Sequence, residues 1–369
     1  MTNQTVVFDE LTVADGGRIG VARLNAPRSL NALSLDMIHA LKSRLDDWSQ
    51  DDGVKAVWLE GEGDKAFCAG GDIVALYRAM TEPRQDNRGK GAGEQFFTDE
   101  YDLDYRIHTY PKPIIVWGNG VVMGGGVGLM AGGSHRVVTE NSKLAMPEVS
   151  IGMYPDVGAG WFFNRMPGRT GLFLGLTGAR MNAADALFVG LADRFIRHEY
   201  KAEIMAALQK SDLGESASGA INKVLRHFEH ESRAALPASP VQDNFELIQK
   251  LTDADSLDET VDNLHRLGES DPWLAKSAQT VAAASPTAMA IQWRHFHDTA
   301  RDSLAEVFDK ELVISLRCLE RGEFAEGVRA LLIDKDQQPR WHYSSLTGLD
   351  PAWVESFFGN PELTDKEKE

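Results

Sequence analysis

Two glycine-rich segments could present backbone amides to a negatively charged atom. Residues 66–72, AFCAGGD, place paired glycines after a predicted strand and at the start of a predicted helix. Residues 119–128, NGVVMGGGVG, repeat this arrangement further along the chain. Glycine tolerates unusual backbone angles and close approach, so N–H groups in such turns can point outward. Two donors converging on one point would form an oxyanion hole; alternatively, both clusters serve only as turns and close helix packing.

Two carboxylates follow in the apolar segment 146–160, MPEVSIGMYPDVGAG. Glu148 and Asp156 lie there among apolar residues, glycine and proline. Such neighbours remove water from a carboxylate and raise its pKa, which suits acid–base or nucleophilic chemistry. The alternative is structural: each carboxylate caps a helix or pairs with an arginine such as Arg165.

Other patterns that commonly carry chemistry are weak in this sequence. His227 with His230, and His295 with His297, lie in highly polar helical stretches, so we expect solvated faces and not metal ligands. The two cysteines are far apart and form no C-x-x-C pair, which excludes a disulfide framework and a cysteine zinc site. The P-loop and nucleophile-elbow motifs are both missing. The sequence predicts no metal site.

The composition is that of a globular protein and limits the partners. Of 369 residues, 43% are hydrophobic and 25% are charged, which excludes a disordered chain. The 38 basic and 55 acidic residues give a net charge of −17, which argues against nucleic-acid and anionic-membrane surfaces. No run approaches the ~18 apolar residues that span a bilayer. The first residues lack a basic region followed by an apolar stretch, so a cytoplasmic location is expected.

Strands and helices alternate in the first part of the chain. Residues 6–13 and 17–24 alternate apolar and polar side chains around the turn Asp15-Gly-Gly17, which predicts a hairpin. Ser34 is a predicted N-cap of a helix with one apolar stripe, and 54–59 reads as a strand. This alternation favours an α/β domain.

The segment between these elements and the second glycine cluster contains a predicted loop and a predicted helix. Residues 81–93 are polar and lack periodicity, which predicts a mobile surface loop. Phe97, Tyr101 and Tyr105 then step by four, as in a helix that must end by Pro111.

Strand patterns vanish after about residue 200, where alanine, leucine and charged residues dominate. Ser285 before Pro286 predicts a helix start, and Ser303 with Glu306 forms a predicted capping box. The tail 364–369 is expected to fray. The predicted domains are 1–204, a core that holds the active site; 205–345, a C-terminal helical region; and 346–369, a short terminal segment.

Taken together, these motifs resemble the enoyl-CoA hydratase/isomerase (crotonase) superfamily over roughly residues 5–200. Within this superfamily the chain is similar to the 3-hydroxyisobutyryl-CoA hydrolases, a resemblance that extends over nearly the whole chain. The segments that carry the superfamily resemblance are 25–33 (NAPRSLNAL), 67–73 (FCAGGDI), 119–126 (NGVVMGGG) and 146–148 (MPE). Those that carry the narrower one are 97–101 (FTDEY), 124–128 (GGGVG), 154–158 (YPDVG) and 324–336 (FAEGVRALLIDKD).

The resemblance implies a crotonase-like spiral of ββα units followed by C-terminal helices. It also implies that the N–H groups of Gly71 and Gly125 polarise the carbonyl of an acyl-CoA thioester. In hydratases of the superfamily a glutamate stands where this chain has Gly128. Hydration needs two acid–base groups, so a glycine at this substrate-facing position speaks against efficient hydration.

The resemblance also assigns roles to the carboxylates. Glu148 is left free to act on the thioester carbon, either as a nucleophile that forms an anhydride or as a base for water. Asp156 would bind the 3-hydroxyl of the substrate or position the attacking water. Glu100 matches a substrate-contacting glutamate of the hydrolases.

The expected function is therefore hydrolysis of a short 3-hydroxyacyl-CoA, and 3-hydroxyisobutyryl-CoA of valine catabolism is the expected substrate. Coenzyme A enters as part of this substrate, so no separate cofactor is expected. The expected assembly is a homo-oligomer, trimer or hexamer, or a monomer. Two alternatives remain: an enoyl-CoA hydratase or isomerase on the same fold, and a non-catalytic CoA-binding or interaction protein.

Overall fold

A computed structural model describes residues 4–81, 88–268, 272–321 and 323–359. Contacts group the chain into two compact units, each assembled from three stretches. The first unit comprises Met1–Gly71, Asp102–Ala145 and Arg180–Asp243, and the second comprises Asp72–Tyr101, Met146–Ala179 and Asn244–Glu369. The sequential division at residue 204 stays a prediction.

All strands of the described residues belong to the first unit. They are β1 Val6–Thr12, β2 Arg18–Leu24, β3 Val54–Gly61, β4 Ala66–Cys68, β5 Ile114–Gly118, β6 Val121–Met123, β7 His135–Val138, β8 Lys143–Ala145 and β9 Arg194–Phe195.

Helices occur in both units, and among the described residues none is long and apolar enough to cross a membrane. They are α1 Leu35–Gln50, α2 Ile73–Thr81, α3 Arg88–His108, α4 Gly125–Ala131, α5 Ala159–Phe163, α6 Thr170–Thr177, α7 Ala183–Phe188, α8 Lys201–Gln209, α9 Ala217–Ser232, α10 Pro240–Asp243, α11 Phe245–Leu251, α12 Leu257–Gly268, α13 Pro272–Ala283, α14 Pro286–Asp298, α15 Leu304–Arg321, α16 Glu323–Val328 and α17 Pro351–Glu355.

The first unit contains two sheets, and the successive strands β3 to β8 alternate between them. A six-stranded sheet has the order β1-β2-β3-β5-β7-β9, and a three-stranded sheet has the order β4-β6-β8. β1 and β2 form the predicted antiparallel hairpin, whereas all other neighbours are parallel. Each of the pairs β3–β4, β5–β6 and β7–β8 sends one strand to each sheet. This repetition is the expected spiral of ββα units, and the α/β class is confirmed.

Two large aromatic side chains pack together in the core of the first unit, on the neighbouring strands β3 and β5. Trp58 on β3 and Trp117 on β5 stack with ring centroids 5.5 Å apart, and both are buried. Ser34 caps α1, its side chain accepting a hydrogen bond from the N–H of Met37. Burial of such large side chains is the main source of stability in a core of this kind.

The helix starts predicted in the C-terminal part are confirmed. The side chain of Ser285 accepts from the N–H of Ala288 at the start of α14. Ser303 and Glu306 exchange reciprocal hydrogen bonds at the start of α15, as in a capping box.

The loop predicted over 81–93 is partly wrong. α3 begins at Arg88, so 88–93 are helical, and the preceding residues 82–87 lie outside the described residues. Helical hydrogen bonds therefore outweigh the cost of the glycines in this stretch. α3 ends at His108, before Pro111, as predicted. The tail 364–369 also lies outside the described residues.

Candidate active site

In the first unit, the end of β4 and the start of α4 approach each other closely. Gly70 has a φ of +101°, and a Cβ added there would lie 3.2 Å from the carbonyl oxygen of Met123 and 3.7 Å from the nitrogen of Gly125. A Cβ on Gly126 would lie only 2.3 Å from the carbonyl oxygen of Cys68. The glycines are therefore required because backbone meets backbone at this point.

The predicted oxyanion donors lie on these two adjoining segments. Gly71 directly follows Gly70, and Gly125 is the first residue of α4. Within the part of the chain that the structure describes, the N–H groups of Gly71 and Gly125 donate to no other residue. The N–H of Gly128, by contrast, donates to the carbonyl of Gly124, the N-cap of α4. Two unused donors on neighbouring segments support the predicted oxyanion hole, which stays a prediction.

In the second unit, three carboxylates lie close enough to repel one another. Glu100 is on α3, Glu148 opens the short 3-10 helix Glu148–Ile151, and Asp156 precedes α5. Their exposed fractions are only 2%, 7% and 6%. Burial raises the pKa of Glu100 well above its ordinary value, and the charges of Asp156 and Glu148 raise it further.

The same forces act on the other two members of this carboxylate cluster. Burial, followed by the charge of Asp156, raises the pKa of Glu148 well above its usual range. Burial raises the pKa of Asp156 to about 7, although the hydrogen bond from Tyr101 opposes this rise. Because three such groups cannot all ionise together, the cluster retains protons near neutral pH. A carboxyl that titrates near neutrality is suited to acid–base chemistry.

The cluster also contains carboxylate oxygens without partners. Among the described residues, Glu100 Oε1 and Glu148 Oε2 are buried and accept no hydrogen bond, and no cation pairs with any of the three carboxylates. Arg165 instead donates to the carbonyl of Trp161 and lies over its ring. The structural alternative of a pairing with Arg165 is therefore not observed. Buried unpaired oxygens of this kind point to a ligand or to reacting groups.

Residues that sequence reasoning missed hold Asp156 in place. The Tyr101 hydroxyl donates to Asp156 Oδ2 at 2.5 Å and lies 2.6 Å from Ser315 Oγ on α15. Ser315 Oγ is also 3.1 Å from the Tyr154 hydroxyl, which donates to the carbonyl of Glu311. In the sequence Tyr101 belongs to a helical apolar stripe and ends the segment 97–101, but no pattern there assigns it a role, and Ser315 carries no signal at all.

The turn after Asp156 is strained and is held by the carboxylate of Glu311, which is not part of the cluster described above. Val157 has a φ of +54° and Gly158 a φ of +88°. A left-handed conformation at a β-branched residue is unfavourable and costs about 1–3 kcal/mol. Glu311 on α15 accepts the N–H of Gly158 at 2.6 Å and that of Gly160 at 3.0 Å. The surrounding structure thus overrides the local preference of the chain.

One expected solvated histidine is in fact buried. His295 is 1% exposed, and its Nε2 lies 3.0 Å from Glu311 Oε1. The expectation was wrong because α14 turns this position inward, while His297 stays exposed as expected. His227 and His230 are also exposed.

We expect Glu148→Gln to stabilise the fold more at pH 8 than at pH 5. The pKa of Glu148 is raised in the folded chain, so the unfolded chain ionises first as the pH rises, and this favours unfolding. Glutamine cannot ionise and escapes this loss. Differential scanning calorimetry should show a Tm increase of about 2 °C or more at pH 8 and a smaller one at pH 5. Equal increases at both pH values would contradict a raised pKa.

Curated relatives match nearly the whole chain. The 3-hydroxyisobutyryl-CoA hydrolase, mitochondrial, of Danio rerio is 40% identical over 353 residues, which cover 95% of this chain and 89% of the relative. The protein of the same name from Xenopus tropicalis is 37% identical and covers 98% and 93%. That from Homo sapiens is 35% identical and covers 94% and 87%. These relatives confirm the hydrolase prediction made from the motifs.

They also correct the expected location. The named relatives are mitochondrial proteins, which points to a mitochondrial and not a cytoplasmic location. The expectation was wrong because it rested on the lack of a secretory-type pattern in the first residues, and that pattern does not distinguish the cytoplasm from the mitochondrion.

Solved structures and a family profile also match nearly the whole chain. A carnitinyl-CoA dehydratase from Mycobacterium thermoresistibile superposes with a TM-score of 0.85 at 32% identity, covering 97% of each chain. An enoyl-CoA hydratase from Rhodobacter sphaeroides 2.4.1 superposes with a TM-score of 0.83 at 33% identity, covering 97% of this chain and 98% of the other. The profile described as Enoyl-CoA hydratase/isomerase matches residues 19–358. With its spiral of ββα units and its buried carboxylates, the chain belongs to the enoyl-CoA hydratase/isomerase family.

Proposed function

We propose that this protein hydrolyses the thioester of a short 3-hydroxyacyl-CoA, with 3-hydroxyisobutyryl-CoA as its substrate in valine catabolism. The observation that carries the proposal is the buried pair Glu148 and Asp156, in which Glu148 Oε2 has no partner among the described residues. The names of the curated relatives support the same substrate.

The reaction exchanges a carbon–sulfur bond for a carbon–oxygen bond. As an oxygen nucleophile adds to the thioester carbon, the carbonyl oxygen becomes negative, and the N–H groups of Gly71 and Gly125 are the proposed donors to it. The C–S bond then breaks and coenzyme A leaves as a thiolate, which takes up a proton. The products are the free 3-hydroxy acid and coenzyme A.

Glu148 is the proposed group that drives this exchange. As a nucleophile it would form a mixed anhydride, which water then cleaves; as a base it would take a proton from the attacking water. Either role needs the ionised form, and burial, followed by the charge of Asp156, raises the pKa of Glu148 and so makes that form strongly basic.

Asp156 and Glu100 are proposed to orient the reactants. The Tyr101 hydroxyl occupies Oδ2 of Asp156, so Oδ1 is the oxygen proposed to accept the substrate 3-hydroxyl or to position water. The buried Oε1 of Glu100, unpaired among the described residues, is the proposed contact to the substrate. Gly128 supplies no side chain, which fits hydrolysis better than addition of water to a double bond.

Acyl-CoA is the proposed small-molecule partner, and no separate cofactor enters this scheme. We propose that the protein is either a monomer or a homo-oligomer, and that the oligomer would be a trimer or a hexamer. Light scattering coupled to gel filtration distinguishes these states.

The testing experiment compares thiol release with hydration. Purified protein is incubated with 3-hydroxyisobutyryl-CoA, with other short acyl-CoA thioesters and with crotonyl-CoA, while free thiol and loss of the enoyl absorbance are followed. We expect kcat/KM for thiol release from 3-hydroxyisobutyryl-CoA to exceed that for crotonyl-CoA hydration at least 100-fold. Faster hydration would favour the hydratase alternative. Tight CoA binding without turnover of any thioester would favour a non-catalytic protein.

A further inference from the structure

The segment that follows Asp156 is held at two backbone positions by one buried side chain. Glu311 is 0% exposed, and its two oxygens accept the N–H groups of Gly158 and Gly160. Between Asp156 and the second of these contacts the backbone passes through positive φ at Val157 and Gly158. Such a path persists only where the surrounding structure imposes it.

We propose that Glu311, oriented by His295, is a positioning residue that sets the direction of the Asp156 side chain for thioester hydrolysis. The inference rests on the proposed function, because it assigns Glu311 a role only through Asp156. We call Glu311 and His295, with the N–H groups of Gly158 and Gly160, the Glu311 clamp.

The hydrogen bonds of Glu311 exclude a direct catalytic role for this carboxylate. Oε2 accepts from Gly158, while Oε1 accepts from Gly160 and lies 3.0 Å from Nε2 of His295. Both oxygens therefore have partners within the fold, in contrast to Glu148. A carboxylate suits this place because every group within hydrogen-bond distance of its oxygens is a donor, or in the case of the imidazole can be one.

Helix α15, which carries Glu311, also holds the side chain of Asp156. Ser315 lies one turn after Glu311 on α15 and contacts the Tyr101 hydroxyl, which donates to Asp156 Oδ2. One face of α15 thus fixes the backbone after Asp156 through Glu311 and its carboxylate through Ser315 and Tyr101. Two separate restraints on one side chain are what a precisely oriented catalytic group requires.

The side chains around Gly160 pack closely against the clamp. A Cβ on Gly160 would lie 2.6 Å from Nε2 of His295 and 2.8 Å from Oγ1 of Thr299. The His295 ring also meets the Tyr154 ring edge-on, with centroids 5.3 Å apart. Because these groups are buried together, a change in Glu311 is transmitted to the turn and not absorbed by solvent.

Glu311→Gln tests the clamp with the smallest change in shape. Its amide NH2 would face a backbone N–H or the imidazole, so one of the clamp contacts is lost. We expect kcat for 3-hydroxyisobutyryl-CoA to fall at least 10-fold while KM changes less than 3-fold. His295→Gln, which keeps a donor toward Glu311, should lower kcat less than His295→Leu.

A double-mutant comparison shows whether the effect acts through Asp156. If it does, Glu311→Gln lowers kcat in the wild-type background and causes no further loss in Asp156→Asn. Ile248→Ala is the control for stability alone, since Ile248 is buried in α11 of the same unit, which packs on α6 and α12. The kcat of Ile248→Ala should stay within 2-fold of wild type even where its loss of Tm is comparable to that of Glu311→Gln.

Hydrogen exchange separates failure of this inference from failure of the proposed function. In wild type the amides of Gly158 and Gly160 should be protected, and in Glu311→Gln a peptide covering 153–163 should exchange at least 10-fold faster. Two results would overturn the positioning role. One is faster exchange in Glu311→Gln with unchanged kcat, and the other is an equal loss of kcat from Glu311→Gln in the wild-type and Asp156→Asn backgrounds. Unchanged exchange would overturn the clamp itself. A wild-type protein that releases no thiol overturns the proposed function, and the exchange result still reports on the clamp.

Discussion

Glu148→Gln should lower kcat for thiol release by about 10³-fold, with KM changed less than 3-fold. Glutamine keeps the shape of the side chain but can neither attack the thioester carbon nor take a proton from water. Since the side chain is buried and its Oε2 has no partner among the described residues, the substitution disturbs few existing contacts. The loss should therefore appear in kcat, because binding of the coenzyme A portion is unaffected.

Steady-state kinetics with 3-hydroxyisobutyryl-CoA measure this effect, and calorimetry on the same sample guards against unfolding. The raised pKa of Glu148 predicts that the variant is no less stable than wild type near neutral pH, and the calorimetry tests this expectation. Glu246→Gln, on the exposed face of α11, is the matched control and should keep its kcat. A Glu148→Gln protein with more than a tenth of wild-type kcat would remove Glu148 from the mechanism.

Gly126→Ala should abolish most activity by a different route. The added methyl would lie 2.3 Å from the carbonyl oxygen of Cys68 and 2.9 Å from its carbonyl carbon, and rigid backbone cannot give way as a flexible side chain can. The segments that carry Gly71 and Gly125 must then move apart. Removal of an oxyanion donor typically costs 10²–10³-fold in kcat, so we expect a loss of about 100-fold or more, with a lower Tm.

Two other glycines make this test interpretable. Gly70→Ala would place its methyl 3.2 Å from the carbonyl oxygen of Met123 and would be strained at a φ of +101°, so it should also lower kcat and serves as a second probe of the same place. Gly91→Ala, inside α3 with no heavy atom within 4 Å, should keep full activity and gain slight stability. If Gly126→Ala stays folded at the assay temperature and keeps wild-type kcat, the two glycine segments do not form the oxyanion hole.

Much of the local structure follows from short stretches of sequence. The hairpin of β1 and β2, the N-caps Ser34 and Ser285 and the capping box at Ser303 depend on residues within a few positions of one another. Turn and capping preferences act at that range, so patterns in the sequence are sufficient to predict them. The start of α3 at Arg88 differs from the prediction because glycines lower helix propensity without forbidding a helix.

The types and spacing of the reacting groups were also determined by the sequence alone. Residue types and spacing mark the paired glycines and the carboxylates Glu148 and Asp156 as candidate reacting groups, and the family resemblance implies their roles in thioester chemistry. What the sequence did not reveal is how those carboxylates are held. Tyr101 is 55 positions from Asp156 and 214 from Ser315, yet the three are joined by hydrogen bonds.

Only the tertiary structure decided these long-range contacts and the charge state they impose. His295 in its polar stretch and Glu311 on its amphipathic helix carry no sign of burial in the sequence, and packing of α14 and α15 brings both to the strained turn after Asp156. The pKa shifts of the carboxylate cluster likewise require burial and mutual repulsion, which exist only once the helices have packed. Local patterns specify which groups are present, whereas desolvation and distance, set by the whole fold, specify what those groups can do.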